Sequence, residues 1–103
     1  MNKEIAESTV NVDEEGYLTD PSQWNETIAA ALAAEEGIST LTDQHLAVLK
    51  YLREQQSAGA ALTIRALGKS GVATIKELYE LFPGGPLKKA SRIAGIPKPV
   101  GCI

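Results

Sequence analysis

The residue of this chain best suited to covalent chemistry is its single cysteine, Cys102, which is the second-to-last of 103 residues. Cysteine reacts through its thiolate, and a free thiol has a pKa of about 8.5. The preceding residues 95–101 contain two prolines, which stiffen the chain, and a glycine directly before the cysteine. Because chain ends are usually mobile and exposed, we expect a flexible arm, residues 96–103, that carries the thiol into a partner's site.

Basic residues surround this cysteine in the sequence. From residue 81 onward the chain has four bases and no acidic side chain, whereas residues 1–36 have nine acids and one base. A nearby cation favours the thiolate, and a basic surface attracts an acidic partner. We assign these two roles, thiolate support or partner binding, to Lys88, Lys89, Arg92, Lys98 and, further from the cysteine, Arg65.

Other chemistries lack the residues they need. His45 is the only histidine, so a metal site of cysteine and histidine has no ordinary spacing here, and we interpret His45 as a structural or surface residue. Serines such as Ser91 have no accompanying base, which argues against a hydrolase triad. Glu35 and Glu36 are interpreted as solvated acids. We therefore expect no metal, no cofactor and a carrier rather than a self-contained enzyme.

The surroundings of the protein are also constrained by its composition. No apolar stretch is long enough to cross a bilayer, and residues 1–10 lack the basic start and apolar run of a signal peptide. A single cysteine allows no internal disulfide, which agrees with a reducing compartment. These observations favour a cytoplasmic protein with no membrane partner.

The pattern of apolar residues and helix caps predicts a mainly α protein, an irregular bundle of about five short helices in one domain, residues 1–103. Residues 1–10 are expected to be loosely held, and turn residues 13–16 predict a hairpin over residues 10–18. The five helices are predicted to run from Pro21, capped by Asp20, to Gly37; from the cap Thr42 to near Gly59; from Leu62 to Lys69; from the cap Thr74 to Phe82; and from Pro86 to Gly95.

Inward faces follow from helical spacing. The first helix is expected to bury Trp24 and Ile28. The fourth helix is expected to bury four apolar residues, Ile75, Leu78, Tyr79 and Phe82, and the last helix another four, Leu87, Ala90, Ile93 and Ala94.

The C-terminal segment, residues 81–103, resembles the signature of the DsrC/TusE family of small sulfur-trafficking proteins, some of which are called the gamma subunit of dissimilatory sulfite reductase. Further similarity lies in residues 13–18, Trp24, residues 41–45, residues 52–54 and Arg65. The resemblance implies an α-helical fold with a helix-turn-helix-like core and a flexible C-terminal arm. It also implies that Cys102 accepts persulfide sulfur from a donor sulfurtransferase and relays it to an acceptor, for thiolation of tRNA or for sulfur oxidation.

This chain departs from the family pattern at Ser91. Many DsrC proteins have a second cysteine at the aligned position of the last helix, and a serine, natural or engineered, cannot form a disulfide. The resemblance therefore favours the single-cysteine TusE type. The segment between Arg65 and Leu81 is also shorter than in typical members, which weakens the case for docking to sulfite reductase.

Two alternatives remain open at this stage. The short helices on either side of residues 68–71 could form a DNA-binding helix-turn-helix, but the net charge is −3 and residues 74–82 hold one lysine and two glutamates. We therefore expect no direct binding of nucleic acid. The other alternative is a thiol-containing regulatory or assembly subunit that binds a sulfur enzyme, such as sulfite reductase, without carrying sulfur.

Overall fold

Five short helices and one β-hairpin form the part of the chain that the computed structural model describes, residues 2–59 and 63–97. The strands are β1 (Asn2–Ile5) and β2 (Ser8–Asn11), and the helices are α1 (Glu26–Glu35), α2 (Asp43–Ser57), α3 (Ile64–Lys69), α4 (Ile75–Leu81) and α5 (Pro86–Ile93). The mainly α fold class is confirmed. Cys102, Lys98 and the segment expected to form a flexible arm beyond Pro97 lie outside the described residues.

The hairpin lies earlier in the chain than the sequence predicted. Strands β1 and β2 pair antiparallel from Asn2↔Asn11 to Ile5↔Ser8, so residues 2–10, expected to be loose, are in fact paired. The predicted hairpin over residues 10–18 is reduced to a turn closed by a single bridge between Val12 and Leu18. Two strands alone are marginal in water, and burial of Ile5 and Val10 against the helices stabilises this pair.

Helix α1 begins later than expected. Asp20 does accept hydrogen bonds, from Ser22 N and Oγ at 3.1 and 2.6 Å, but the turn it starts is a single 3-10 turn, Pro21–Gln23. The α-helix starts at Glu26, where the side chain of Asn25 accepts a hydrogen bond from Ile28 N at 2.9 Å. The predicted start is therefore wrong by about one turn, because two cap residues compete and the second starts the α-helix.

The two predicted caps of the middle helices, Thr42 and Thr74, are confirmed, and α3 has a cap at Thr63 that was not predicted. Thr42, Thr63 and Thr74 each accept a hydrogen bond from a backbone amide three residues later, and Thr74 and Glu77 form a reciprocal capping box. Helix α2 ends at Ser57, before Gly59 as predicted. Gly68 lies inside α3, where an added Cβ would meet Ile75 Cγ1 at 2.6 Å, so it permits close packing of α3 against α4.

The core is shared by all helices and centres on α5, which packs against α1, α2 and α4. The four predicted inward residues of α5 are all buried, as are Leu78 and Phe82 of the α4 segment. Ile75 and Tyr79 contradict the prediction, since they are 46% and 54% exposed. A seven-residue helix offers only one side to the body, and of its two apolar i, i+4 pairs the structure buries Leu78 with Phe82.

Within residues 2–59 and 63–97, none of the helices combines the length and the apolar character needed to cross a membrane.

Candidate functional site at the end of helix α5

Helix α5 is the last element before the segment that bears Cys102, so its end decides where that segment starts. Pro86 occupies the first helical turn, where its missing N–H costs no hydrogen bond. Apolar residues at helical spacing face the core, and Lys88 and Lys89 lie between them on the outer side, exposed and half-buried respectively. This amphipathic pattern fixes the rotation of α5 on the body.

The helix ends in a Schellman motif, a left-handed turn that pairs the last free carbonyls. Gly95 has φ +70°, its amide donates to Arg92 O at 3.2 Å, and the amide of Ile96 donates to Ser91 O at 3.2 Å. Ile96 is 1% exposed and belongs to the core. The expectation that the arm begins at Ile96 is therefore wrong, because this residue is held by a hydrogen bond and by burial. Pro97 is the first exposed residue after the helix.

Two side chains from elsewhere in the chain pair the remaining carbonyls of this turn. Trp24 Nε1 donates to Ile93 O at 2.7 Å, and Arg53 Nη1 donates to Ala94 O at 2.8 Å. The guanidinium of Arg53 also lies 4.4 Å from the centre of the Trp24 ring, in cation–π contact. Burial lowers the pKa of Arg53 below its ordinary value, but an arginine stays protonated at neutral pH. A cation thus lies at the negative end of the α5 dipole.

Arg92 forms ion pairs that the sequence did not predict. Its Nη2 lies 2.6 Å from a carboxylate oxygen of Glu35, which is exposed, and its Nη1 lies 2.9 Å from a carboxylate oxygen of Glu36, which is half-buried rather than solvated. Burial lowers the pKa of Arg92, but the hydrogen bonds and charges of the two glutamates outweigh it, so that the pKa is raised. Lys3 also contacts Glu35, at 2.7 Å. These ion pairs give Arg92 a structural role, and its action on the thiol or a partner stays a prediction.

The other predicted basic residues fall in two places. Lys88 and Lys89 line, together with Arg92, a surface pocket of about 260 Å³ beside Gly84 and Gly85. Arg65 is exposed on α3 and does not line this pocket. The structure therefore brings three of the five basic residues together, and Lys98 lies outside the described residues.

Ser91, where the resemblance implies a second cysteine in many members of the family, is fully buried on α5. Its Oγ has no hydrogen-bond partner. The side chain therefore lies in the core, and its hydroxyl takes no part in any polar network of the described residues.

His45 is buried and structural. Its Nδ1 accepts from Thr42 N at 3.1 Å, its Nε2 lies 2.9 Å from Leu81 O, and its ring meets the Phe82 ring edge-on at 5.2 Å. Since a carbonyl can only accept, Nε2 carries the proton in this arrangement. Among the described residues no group of three histidine, cysteine or acidic side chains could hold a metal ion.

Sequence reasoning missed the capping role of Trp24 and Arg53. Each bonds a carbonyl far along the chain, Trp24 across 69 residues and Arg53 across 41. The only local indication of this role was that each side chain has an apolar body and a polar end. Such a polar end usually forms a hydrogen bond when the apolar body is buried. The sequence offers no means of identifying that partner.

Comparisons with known proteins agree with this architecture. Residues 4–103 match the family model described as DsrC like protein. The sulfurtransferase TusE of Salmonella typhimurium is 41% identical, over 91% of this chain and 93% of the relative. The crystal structure of dissimilatory sulfite reductase I (DsrI) has a TM-score of 0.86 at 36% identity and covers all of both chains. The oxidized gamma-subunit of the dissimilatory sulfite reductase (DsrC) from Archaeoglobus fulgidus has a TM-score of 0.79, also at 36% identity and with full coverage of both chains.

Proposed function

Because the chain belongs to the DsrC family, we propose that it is a sulfur carrier and that Cys102 is the residue that holds the transferred sulfur. The observation that carries the proposal is the extent of the family match. It runs to residue 103 and so includes the C-terminal segment with the only thiol of the chain.

The transfer is an exchange at sulfur with no net oxidation. The Cys102 thiolate attacks the terminal sulfur of a donor persulfide, R–S–SH. A new S–S bond forms at Sγ, the S–S bond of the donor breaks, and the donor leaves as the thiolate R–S⁻ with the electron pair of that bond. The proton stays on the transferred sulfur, so Cys102 becomes Cys–S–SH. The same exchange in reverse roles passes the sulfur to an acceptor thiolate.

Such an exchange needs access to the thiol rather than a deep pocket. Cys102 follows the exposed Pro97 by five residues, a length of chain that spans at most about 17 Å. The thiol therefore acts near the end of α5, and the adjacent surface of the body must take part in recognising the partner.

We assign that recognition to the basic side of α5 and its approach, with Lys88 and Lys89 on the body and Lys98 beyond it. The segment from residue 81 onward has no acidic side chain of its own. Of the two glutamates that line the same pocket as the lysines, Glu36 is paired with Arg92 and the other is Glu15. A basic surface of this kind favours an acidic partner surface and speeds encounter. The proposed partners are donor and acceptor sulfur-transfer proteins of the cytoplasm, with no membrane or direct nucleic-acid partner.

The single cysteine and the 41% identity to a TusE sulfurtransferase, against 36% to the DsrC-type structures, favour a relay between sulfurtransferases. A subunit role on sulfite reductase without two-cysteine chemistry is the second candidate, because the structures that match over the full chain bear that enzyme's name. Whether the sulfur then serves tRNA thiolation or sulfur oxidation is decided by which acceptor takes it.

Mass spectrometry after incubation with a persulfide-loaded sulfurtransferase tests the proposal. We expect one added sulfur atom on the peptide that contains Cys102, reversed by a reducing thiol, and no addition to the matched variant Cys102→Ser. Incubation of the loaded chain with candidate acceptors then identifies the destination. A chain that gains no sulfur, or a serine variant that gains as much, would contradict the proposal and leave the subunit role.

Reversing the charge of the lysine pair tests the recognition surface. We expect Lys88→Glu with Lys89→Glu to slow transfer from the donor protein by about tenfold at low salt, with a smaller effect at high salt because surface charges are screened. Lys50→Glu with Lys76→Glu, at exposed lysines on α2 and α4, is the control because it changes the net charge by the same amount. Equal slowing by both variants would assign the effect to overall charge and not to this surface.

A further inference from the structure

Each carbonyl in the C-terminal turn of α5, from Ala90 to Ala94, has a hydrogen-bond partner within the chain. Helices leave their last four carbonyls without partners inside the helix, and most ends leave some of them to water. Here the amides of Ala94, Gly95 and Ile96 bond three carbonyls, from Ala90 to Arg92, and the side chains of Trp24 and Arg53 bond the next two. The run of carbonyls 90–94 is thus paired without a gap, immediately before the chain leaves the body.

The two side chains that complete this run are held from two different elements. Trp24 lies in the segment between the 3-10 turn and α1, and Arg53 lies on α2, so the end of α5 is tied to α2 and to the segment that leads into α1. Each of the two residues also restrains the other, since the guanidinium lies on the indole ring. Rotation of the last turn of α5 would break contacts to both elements at once.

Gly95 makes this arrangement close-fitting. An ideal Cβ at residue 95 would lie 2.8 Å from Cβ and Cγ of Trp24. The indole therefore lies directly on the backbone of the turn, and the glycine is needed both for the positive φ and for the space. After this contact the chain passes through the buried Ile96 and reaches the surface at Pro97.

We propose that Trp24 and Arg53 are positioning residues, which clamp the end of α5 and so set the direction in which the segment bearing Cys102 leaves the body. This inference rests on the proposed sulfur-carrier function. It gives that function a second requirement. The segment is short, with four residues between Pro97 and Cys102, so a change in its starting direction displaces the thiol from a donor bound to the body. Loss of the clamp reduces transfer to and from proteins while leaving the intrinsic reactivity of the thiol unchanged.

The test uses the full chain with two variants. Trp24→Phe keeps an aromatic ring, smaller than the indole, but loses the N–H donor, and Arg53→Gln loses the charge and the stacking. Three quantities are measured: sulfur transfer from a persulfide-loaded sulfurtransferase, alkylation of Cys102 by a small reagent such as iodoacetamide, and hydrogen exchange of the amides of Gly95 and Ile96. We expect transfer to fall by about tenfold, alkylation to change by less than about twofold, and exchange to quicken by about tenfold or more. Arg53→Lys, which keeps a charged donor, is expected to recover part of the transfer.

Thr74→Ala is the control, because it removes the α4 cap and lowers stability at a position outside the clamp. The proposal is overturned if this control slows transfer as much as the clamp variants do at equal loss of stability, or if the clamp variants transfer sulfur at the rate of the original chain. It is equally overturned if Gly95 and Ile96 exchange no faster in the clamp variants. If the original chain itself takes up no sulfur, the proposed function fails, while amide exchange still decides whether the two side chains hold the turn.

Discussion

At the scale of single residues, the end of α5 requires a glycine at position 95. Gly95 combines two demands, a left-handed backbone with φ +70° and the absence of a side chain under the Trp24 ring. Gly37, at the end of α1, has φ +84° but open space around its absent Cβ. The two glycines therefore separate the cost of backbone strain from the cost of steric overlap.

We expect Gly37→Ala to lower the free energy of unfolding by about 1 kcal/mol, the ordinary cost of a left-handed alanine. Gly95→Ala should cost about 3 kcal/mol or more, because overlap with the indole adds to the same strain. Urea unfolding of both variants measures the difference. Equal losses would show that the indole moves away freely, which the clamp proposal does not allow.

Replacement of the buried Ser91 is expected to raise stability, unlike replacement of the two glycines. A buried polar group without a partner lowers stability, so Ser91→Ala should raise the free energy of unfolding by about 1 kcal/mol. Ser70 is a matched serine whose Oγ donates to Leu67 O at 2.6 Å and accepts from Val72 N at 3.1 Å. Ser70→Ala should lower stability by about the same amount. A destabilised Ser91→Ala would mean that the hydroxyl has a partner in solution.

At the scale of elements, the helix ends that depend on contacts between residues close in the chain were predicted from the sequence, whereas those that depend on distant residues were not. The threonine caps of α2 and α4 are confirmed because each depends on residues three positions apart, and the proline start of α5 is confirmed because it depends on one residue alone. The hairpin of β1 and β2 was missed because its turn residues, Ala6 and Glu7, both have positive φ, where glycine and asparagine are the usual signal. The pairing and packing of the strands must stabilise that turn, and the sequence of the turn does not reveal it.

The contact between α2 and α4 is another long-range interaction that the sequence did not predict. His45 takes the third position of the α2 capping box, and its other ring nitrogen bonds Leu81 O at the end of α4. The sequence placed His45 at the helix start correctly, but not its partner 36 residues later.

We expect His45→Leu to lower the free energy of unfolding by about 2 kcal/mol, since it leaves the Thr42 amide and the Leu81 carbonyl unpaired. Gln44 is the control, because its side chain joins the same two helices through Glu77, but at the surface. Gln44→Ala should cost less than about 0.5 kcal/mol. Thermal or urea unfolding checks both values, and a His45→Leu variant as stable as the original chain would rule out a structural role for the imidazole.

At the scale of the whole molecule, four charged side chains join three distant segments. Lys3 on β1, Glu35 and Glu36 at the end of α1, and Arg92 on α5 form one network. The uneven charge of the sequence, acidic at the start and basic at the end, is thereby partly neutralised within the fold. This explains why charge counting along the chain predicted a free basic end, whereas the folded molecule presents fewer unpaired bases there.

The network predicts how stability depends on pH. Burial alone would raise the pKa of Glu35, but hydrogen bonds from Lys3 and Arg92 outweigh it, so folding lowers this pKa from its ordinary value near 4.5. A lowered carboxyl pKa contributes stability above the unfolded value and loses it as the pH falls through the folded value. We therefore expect the free energy of unfolding to decline below about pH 4.5, and Glu35→Gln to reduce that decline.

Urea unfolding between about pH 7 and pH 3 measures both effects. Asp20 and Glu77 also have lowered pKa values, from hydrogen bonds with Ser22 and with Gln44 respectively, so the Glu35→Gln variant keeps part of the acid sensitivity. At neutral pH this variant should lose less than about 1 kcal/mol, because Glu35 is partly exposed and water screens its charge. Glu14→Gln, an exposed acid on the turn after β2, is the control and should follow the original curve. Identical acid curves for Glu35→Gln and Glu14→Gln would show that the network adds nothing to the stability of the whole chain, and that packing alone holds the hairpin and α1 to α5.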